Sequence, residues 1–197
     1  MMTLAGRVRA HFEESIEAKR QAAEVLAEPV AEAAMLLLDC LMNDGKILIC
    51  GNGGSAGDAQ HFAAEMTGRF EKERMELAAL ALTTDSSALT AIGNDYGFEH
   101  VFSKQVRALG RAGDVLVGIS TSGNSANVLE AIRAAHEREM KVLALTGRDG
   151  GKIAGMLKES DILLNVPHMR TARIQENHLL LIHILCDSID TMLLEGV

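Results

Sequence analysis

A chain of 197 residues is long enough for one full hydrophobic core, and its 48% hydrophobic and 23% charged residues exclude a disordered or fibrous protein. With 27 acidic residues against 19 basic ones the net charge is −8. That argues against a general nucleic-acid binder, which neutralises phosphates with clustered Lys and Arg.

Aromatic residues make up only 3% and Trp is absent, so the core must be built from Leu, Ile, Val, Ala and the ten Met. The N-terminus, MMTLAGRVRAHFEESIEAKRQ, is charged throughout and lacks the apolar centre of a signal peptide. No apolar run approaches the length of a membrane span, so neither membrane nor nucleic acid is an expected partner. The three cysteines, Cys40, Cys50 and Cys186, are far apart in apolar runs. They read as buried thiols of a protein in a reducing, cytoplasmic compartment.

In chain order, Val8 to about Met42 is rich in Ala, Glu, Leu and Lys and reads as two long helices that break near Pro29. Leu36, Leu37, Leu38 and Leu41 give the second an apolar face. Residues 1–44 are expected to be an oligomerisation segment and 45–197 an α/β core. Lys46–Cys50 reads as a buried strand ending in Gly51-Asn52-Gly53-Gly54-Ser55. Further strands are expected at Leu77–Leu82, Asp114–Ile119, Lys141–Leu145 and Asp161–Val166, the last closed by Pro167. Helical patterns fall at about 55–69, 98–109, 126–138 and 152–158, and a last helix at about Thr171–Leu194. Alternating strands and helices predict a doubly wound α/β fold, with a five-stranded, mainly parallel sheet flanked by helices.

In such sheets ligands bind beyond the C-terminal strand ends. Two of these ends carry unusual turns. GNGGS (51–55) opens a helix, where free amides and the Ser55 hydroxyl offer an anion site. It lacks the G-x-G-x-x-G spacing of dinucleotide folds and the G-K-[ST] of a Walker loop. STSGNS (120–125) places several hydroxyls around one Gly and wraps a phosphate without Lys or Arg, which suits an acidic chain.

Two helices carry further polar groups. Asp58, His61 and Glu65, at i, i+3 and i+7, share one face of the helix after GNGGS. A His and a Glu four residues apart share a metal or divide acid and base roles. In the last helix Gln175, His178 and His183 interrupt an apolar segment, where unpaired polar groups are costly. Gln175 and His183 diverge by about 80° around that helix. His61, Glu65, Gln175 and His183 would supply a four-ligand zinc site, but spacing alone does not show that they meet.

GNGGSAGDAQHFAAEMTGRF, LTAIGNDYGF, GDVLVGISTSGNSANV, ALTGRDGGK and RIQENHLLLIH together resemble the bacterial phosphoheptose isomerases of the sugar-isomerase (SIS) superfamily, over essentially the whole chain. The resemblance implies a single SIS-type domain. It implies isomerisation of sedoheptulose 7-phosphate to D-glycero-D-manno-heptose 7-phosphate through an enediol, the entry to the ADP-heptose of the lipopolysaccharide core. It also implies a homotetramer with shared active sites and one Zn²⁺ per subunit. By motif matching, Asn52, Gly53 and Gly54 line the sugar site, and Asn94 and Asp95 contact substrate. Ser120, Thr121, Ser122 and Ser125 hold the phosphate with help from Ser55. His61, Glu65, Gln175 and His183 match the metal ligands, with Glu65 and His183 as base and acid; Glu65 and Gln175 also face the substrate. The segment His168–Ala172 is less familiar.

A Glu and a His bound to zinc are not free to shuttle protons. Either a ligand detaches during turnover or the metal acts as a Lewis acid, and the sequence leaves both open. The rival reading is a non-catalytic SIS protein that binds the bacterial replication initiator. Such proteins lose the catalytic Glu and the distal His, both of which this chain keeps. An SIS-type sensor would carry a helix-turn-helix domain, for which there is no room.

Overall fold

A computed structural model describes residues 2–196. The chain opens with α1 (Leu4–Met42), which starts where the Thr3 hydroxyl accepts the Gly6 N–H. Pro29 lies inside this single helix, which corrects the expected pair. A proline removes the N–H that would bond the carbonyl four residues back and crowds that carbonyl, at a cost of roughly 3 kcal/mol. Here that residue is Val25, which is 54% exposed, so water can serve the carbonyl. The apolar stripe Ala22, Leu26, Val30, Ala33, Leu37 and Leu41 keeps its register on both sides of the proline and is buried throughout. Each large residue so buried is worth about 1.5–3 kcal/mol, so the continuous stripe outweighs the local defect.

The elements that follow are β1 (Ile47–Gly51), α2 (Gly54–Thr67), β2 (Ala79–Ala81), α3 (Ser86–Tyr96), a 3₁₀ turn at Phe98–His100 and α4 (Ser103–Leu109). Then come β3 (Val115–Ser120), α5 (Ala126–Glu137), β4 (Lys141–Gly147), α6 (Gly151–Ala154), β5 (Ile162–Val166) and α7 (Thr171–Glu195). All five expected strands are present. Helix α3 is unexpected: TTDSSALT has the composition of a loop, but Asp85 is a helix cap whose side chain accepts the Ala88 N–H at 2.9 Å. The helix expected at 98–109 is divided into the 3₁₀ turn and α4, and the one expected at 152–158 is the short α6.

Every strand pairing is parallel, in the order β2-β1-β3-β4-β5. Alternate strand residues enter opposite cores. Ile47 and Ile49 of β1 join α1, α2 and α7 on one face; Leu48 and Cys50 join α4 and α5 on the other. Asp114 fixes the lower edge by accepting from the Lys46 N–H at 3.0 Å, the Lys46 Nζ at 2.6 Å and the Arg111 N–H at 2.8 Å. Cys40, Cys50 and Cys186 are buried and free; burial pushes the last two thiols up to about 12.

Helix α7 is long and apolar enough to cross a membrane by length and composition, though the sequence shows no continuous apolar run of that length. It is a core helix: Ile174, Leu181, Ile182, Leu185, Cys186 and Ile189 belong to the cluster beneath the sheet.

The strand order reverses direction of growth between β1 and β3. This switch point leaves a crevice at the carboxyl ends of those two strands. The GNGGS and STSGNS turns follow β1 and β3, so the topology alone sets them side by side.

Candidate active site

The two turns are joined by a reciprocal amide pair. Asn52 Nδ2 donates to Asn127 Oδ1 and Asn127 Nδ2 donates to Asn52 Oδ1, both at 2.8 Å. Asn127 is buried in the first turn of α5 and was not singled out from the sequence, although it lies inside the motif GDVLVGISTSGNSANV. Its partner is 75 positions away, a distance no local pattern reveals.

The Ser-rich turn is held from behind. Asn124 Nδ2 donates to the Ser122 carbonyl, and Asn124 Oδ1 accepts the Lys152 N–H at the start of α6. Gly123 has a φ of +64°, and a Cβ there would lie 1.9 Å from the Gly150 carbonyl oxygen, so no other residue fits. Ser120 and Ser125 hydroxyls are 2.9 Å apart, and Ser122 Oγ accepts the Asn124 N–H. Ser125 is the N-cap of α5 but makes no capping bond with its side chain, and Gly53, the N-cap of α2, has none to offer. Two helix N-termini thus face the crevice without side-chain caps, flanked by the hydroxyls of Thr121, Ser122 and Ser125 and the buried Ser55.

Helices α2 and α7 meet beside the crevice. His61 Nε2 is 2.9 Å from Glu65 Oε1 and 3.4 Å from His183 Nε2. The two imidazoles stand edge to face with centroids 5.1 Å apart, and Phe70 flanks His183 at 5.6 Å. A cavity of about 260 Å³ opens here, lined by Phe70, Glu71, His183, Ile184 and Asp187. Gln175 reaches the other end of the site: its amide covers Gly54 so closely that a Cβ on Gly54 would lie 2.4 Å from Nε2.

The four expected metal ligands therefore lie on two adjoining helices. Three of them form a chain, Glu65–His61–His183, and Gln175 sits against the turn that opens α2. Among the described residues no three His, Cys, Asp or Glu side chains close around a single point. The donor chemistry nevertheless suits zinc. Two imidazole nitrogens aimed at each other within 3.4 Å, beside a carboxylate, converge as ligands of a borderline cation do.

Asp58 shares the face of α2 but does not join this chain. Its Oδ2 is buried without a partner, and burial holds its carboxyl above the usual range while His61 draws it back. His178 faces away, bonded through Nε2 to the Thr146 carbonyl at 2.8 Å. Asn94 and Asp95 lie on the last turn of α3, exposed, with Asn94 Nδ2 bonded to Asp95 Oδ1. Helix α3 packs on the following 3₁₀ turn and, through Leu89 and Ile92, on the core, and among the described residues the side chains of this pair bond to each other rather than to a residue of the crevice. In the less familiar segment, the Arg170 N–H donates to His168 Nδ1, and the Arg170 side chain pairs with Glu14 of α1, which anchors the start of α7 to α1.

Residues 10–147 match the family described as SIS domain. The chain is 79% identical, over its whole length and the whole of the relative's, to a phosphoheptose isomerase of Neisseria gonorrhoeae (strain NCCP11945). It is 68% identical to one from Laribacter hongkongensis, over 99% of this chain and all of the relative. Among solved structures, the phosphoheptose isomerase GmhA from Neisseria gonorrhoeae superposes with a TM-score of 0.92 at 77% identity, over 96% of this chain and 100% of that one.

Proposed function

The chain belongs to the phosphoheptose isomerases of the SIS domain family, and we infer that it isomerises sedoheptulose 7-phosphate to D-glycero-D-manno-heptose 7-phosphate at the crevice between β1 and β3. The observation that carries the site is the convergence of Glu65, His61 and His183 from two helices beside two helix N-termini without side-chain caps.

The phosphate binds at Ser120, Thr121, Ser122 and Ser125 with help from Ser55, on neutral donors and the α5 amides. Asn52, Gly53 and Gly54 carry the sugar, with Asn52 held in one orientation by Asn127. The reacting carbons then lie toward Glu65. Its carboxylate takes a proton from C1 of the ketose while the oxygen at C2 receives one from His183, which gives the enediol. Return of a proton to C2, with loss of the O1 proton, leaves the aldehyde of the product. Gln175, over Gly54, covers the turn that carries the sugar.

His61, Glu65, Gln175 and His183 would hold one Zn²⁺, which when bound would supply a Lewis acid that polarises the carbonyl, and Glu65 and His183 move protons only while detached from it. Three buried free thiols support a cytoplasmic setting. Leu4, Val8, Phe12 and Ile16, exposed at four-residue spacing on α1, support a homotetramer built partly on residues 1–44. The exposed Asn94 and Asp95 suit a contact made to a neighbouring copy's site. Nothing favours the reading as a non-catalytic partner of the replication initiator, since Glu65 and His183 are both in place.

The test is turnover of sedoheptulose 7-phosphate by the purified protein and by Glu65→Gln, with metal content measured on the same samples. The wild type is expected to turn over and to hold about one zinc per chain. The variant should fold, bind phosphate and lose at least roughly 10²-fold in kcat, together with solvent-hydrogen exchange at the carbon next to the carbonyl. A variant that keeps its metal and near wild-type turnover removes Glu65 as the base. A wild type inactive on every heptose and hexose phosphate returns the non-catalytic reading.

A further inference from the structure

We propose that Arg74 and Asp190 form a buried clasp that positions Glu65 and His183 against each other, and that they are positioning residues for the isomerisation. The proposal rests on the acid–base roles given to Glu65 and His183 above.

Arg74 lies in the irregular segment between α2 and β2, in the run RFEKERME, which reads as a solvated surface. Its side chain is instead 1% exposed. The guanidinium uses all three nitrogens. One terminal nitrogen donates to the Glu65 carbonyl at 2.6 Å. The other donates to the carbonyls of Met66 at 2.8 Å and of Gly68 and Met75 at 3.0 Å. Nε donates to Asp190 Oδ1 at 2.9 Å.

The carbonyls of Glu65, Met66 and Gly68 lie at the carboxyl end of α2, which has no basic residue in its last turn. Such carbonyls lack partners within the helix and carry its negative dipole end, so a buried cation with a planar fork of donors is the group that satisfies them. Arg74 thereby fixes the backbone of Glu65 itself.

Asp190 supplies the other half. It is buried on α7, seven residues after His183, which places the two within about 20° of each other on that helix. Its Oδ1 bonds Arg74, and its Oδ2 is buried without a partner. A carboxylate so poorly supplied with its own hydrogen bonds is a costly way to hold a helix in place, and packed apolar residues would serve stability as well or better. What the pair provides is direction. A planar guanidinium fixed to the Glu65 carbonyl on one side and to α7 on the other sets the register of the helix carrying His61 and Glu65 against the helix carrying His183. A misplacement of about 1 Å between catalytic groups can cost on the order of 10²-fold in rate, so such a register matters more to turnover than to folding.

Asp190→Asn and Arg74→Lys test this, beside Glu65→Gln as the reference. Lys keeps the charge but cannot span the carbonyls. Both clasp variants are expected to fold by circular dichroism and to lose roughly tenfold or more in kcat per folded molecule, with KM within about twofold of wild type. Arg74→Ala should regain turnover in added guanidinium and not in equal ammonium, since only the planar ion fits the vacated fork. A lowered melting temperature with wild-type kcat in the folded fraction overturns the proposal, as does the same kcat with unchanged stability. If Glu65→Gln loses turnover and the clasp variants do not, the clasp fails alone. If Glu65→Gln keeps turnover, it is the acid–base reading that fails.

Discussion

His178 shows how one side chain on the helix that carries Gln175 and His183 is kept apart from them. It is fully buried, donates from Nε2 to the Thr146 carbonyl and leaves Nδ1 without a partner. Burial pushes its pKa from 6.5 down to about 4, so it is neutral where the enzyme works. Its folded pKa is below the unfolded one, so the unfolded chain binds the extra proton between these values. The stability it allows is fully present above about pH 6.5 and is lost as pH falls toward about 4, by on the order of 3 kcal/mol. Urea titrations of the wild type and His178→Gln across this window should show a steeper loss in the wild type; equal slopes would exclude His178 as the source.

The serines at the end of β3 act at the same scale. Ser120 and Ser122 sit in a turn fixed from behind by Asn124 and Gly123, so replacing both with Ala should leave the fold intact. Each lost hydrogen bond to a dianion removes roughly 1.5–3 kcal/mol, so KM should rise at least roughly tenfold in the double variant. An unchanged KM would place the phosphate elsewhere.

Among the elements, α1 departs most from local rules. Its proline lies in the interior of a 39-residue helix. Pro29→Ala restores the N–H that can reach the exposed Val25 carbonyl and relieves the ring clash, at the expense of a more flexible unfolded chain. A net gain of about 1–2 kcal/mol in denaturant unfolding is expected, with activity unchanged. A loss would mean that the proline ring at 29 is needed to seat α1 under the sheet. Helices α2 and α7 show the complementary case. From sequence α2 shows a polar face and α7 an apolar segment with polar interruptions, and only their packing joins these as Glu65–His61–His183 and sets Asp190 of α7 against Arg74 of the segment after α2.

For the whole molecule, the exposed Leu4, Val8, Phe12 and Ile16 continue one side of α1, and a further apolar groove runs between α1 and α7 along Ala22, Leu26, Val30, Leu180 and Ile184. Such surface on one helix pair predicts self-association. Light scattering should give the mass of four chains, and charged substitutions at Phe12 and Ile16 should lower it and reduce activity together if sites are shared. A stable, fully active monomer would refute this.

The sequence by itself determined the α/β class, all five strands, the two polar turns and the candidate residues of the site. Each of these is written in hydrophobic period or in contiguous motifs such as GNGGS and STSGNS, so neighbouring residues suffice to read it. Tertiary structure alone decided the rest. It carried α1 through Pro29, because a continuous buried stripe outweighs one lost hydrogen bond. It joined Asn52 to Asn127 across 75 positions and Arg74 to Asp190 across 116, and it brought His183 to His61 across 122. These contacts depend on where parallel strands and their crossovers place helix ends, a long-range geometry that no local pattern of residues contains.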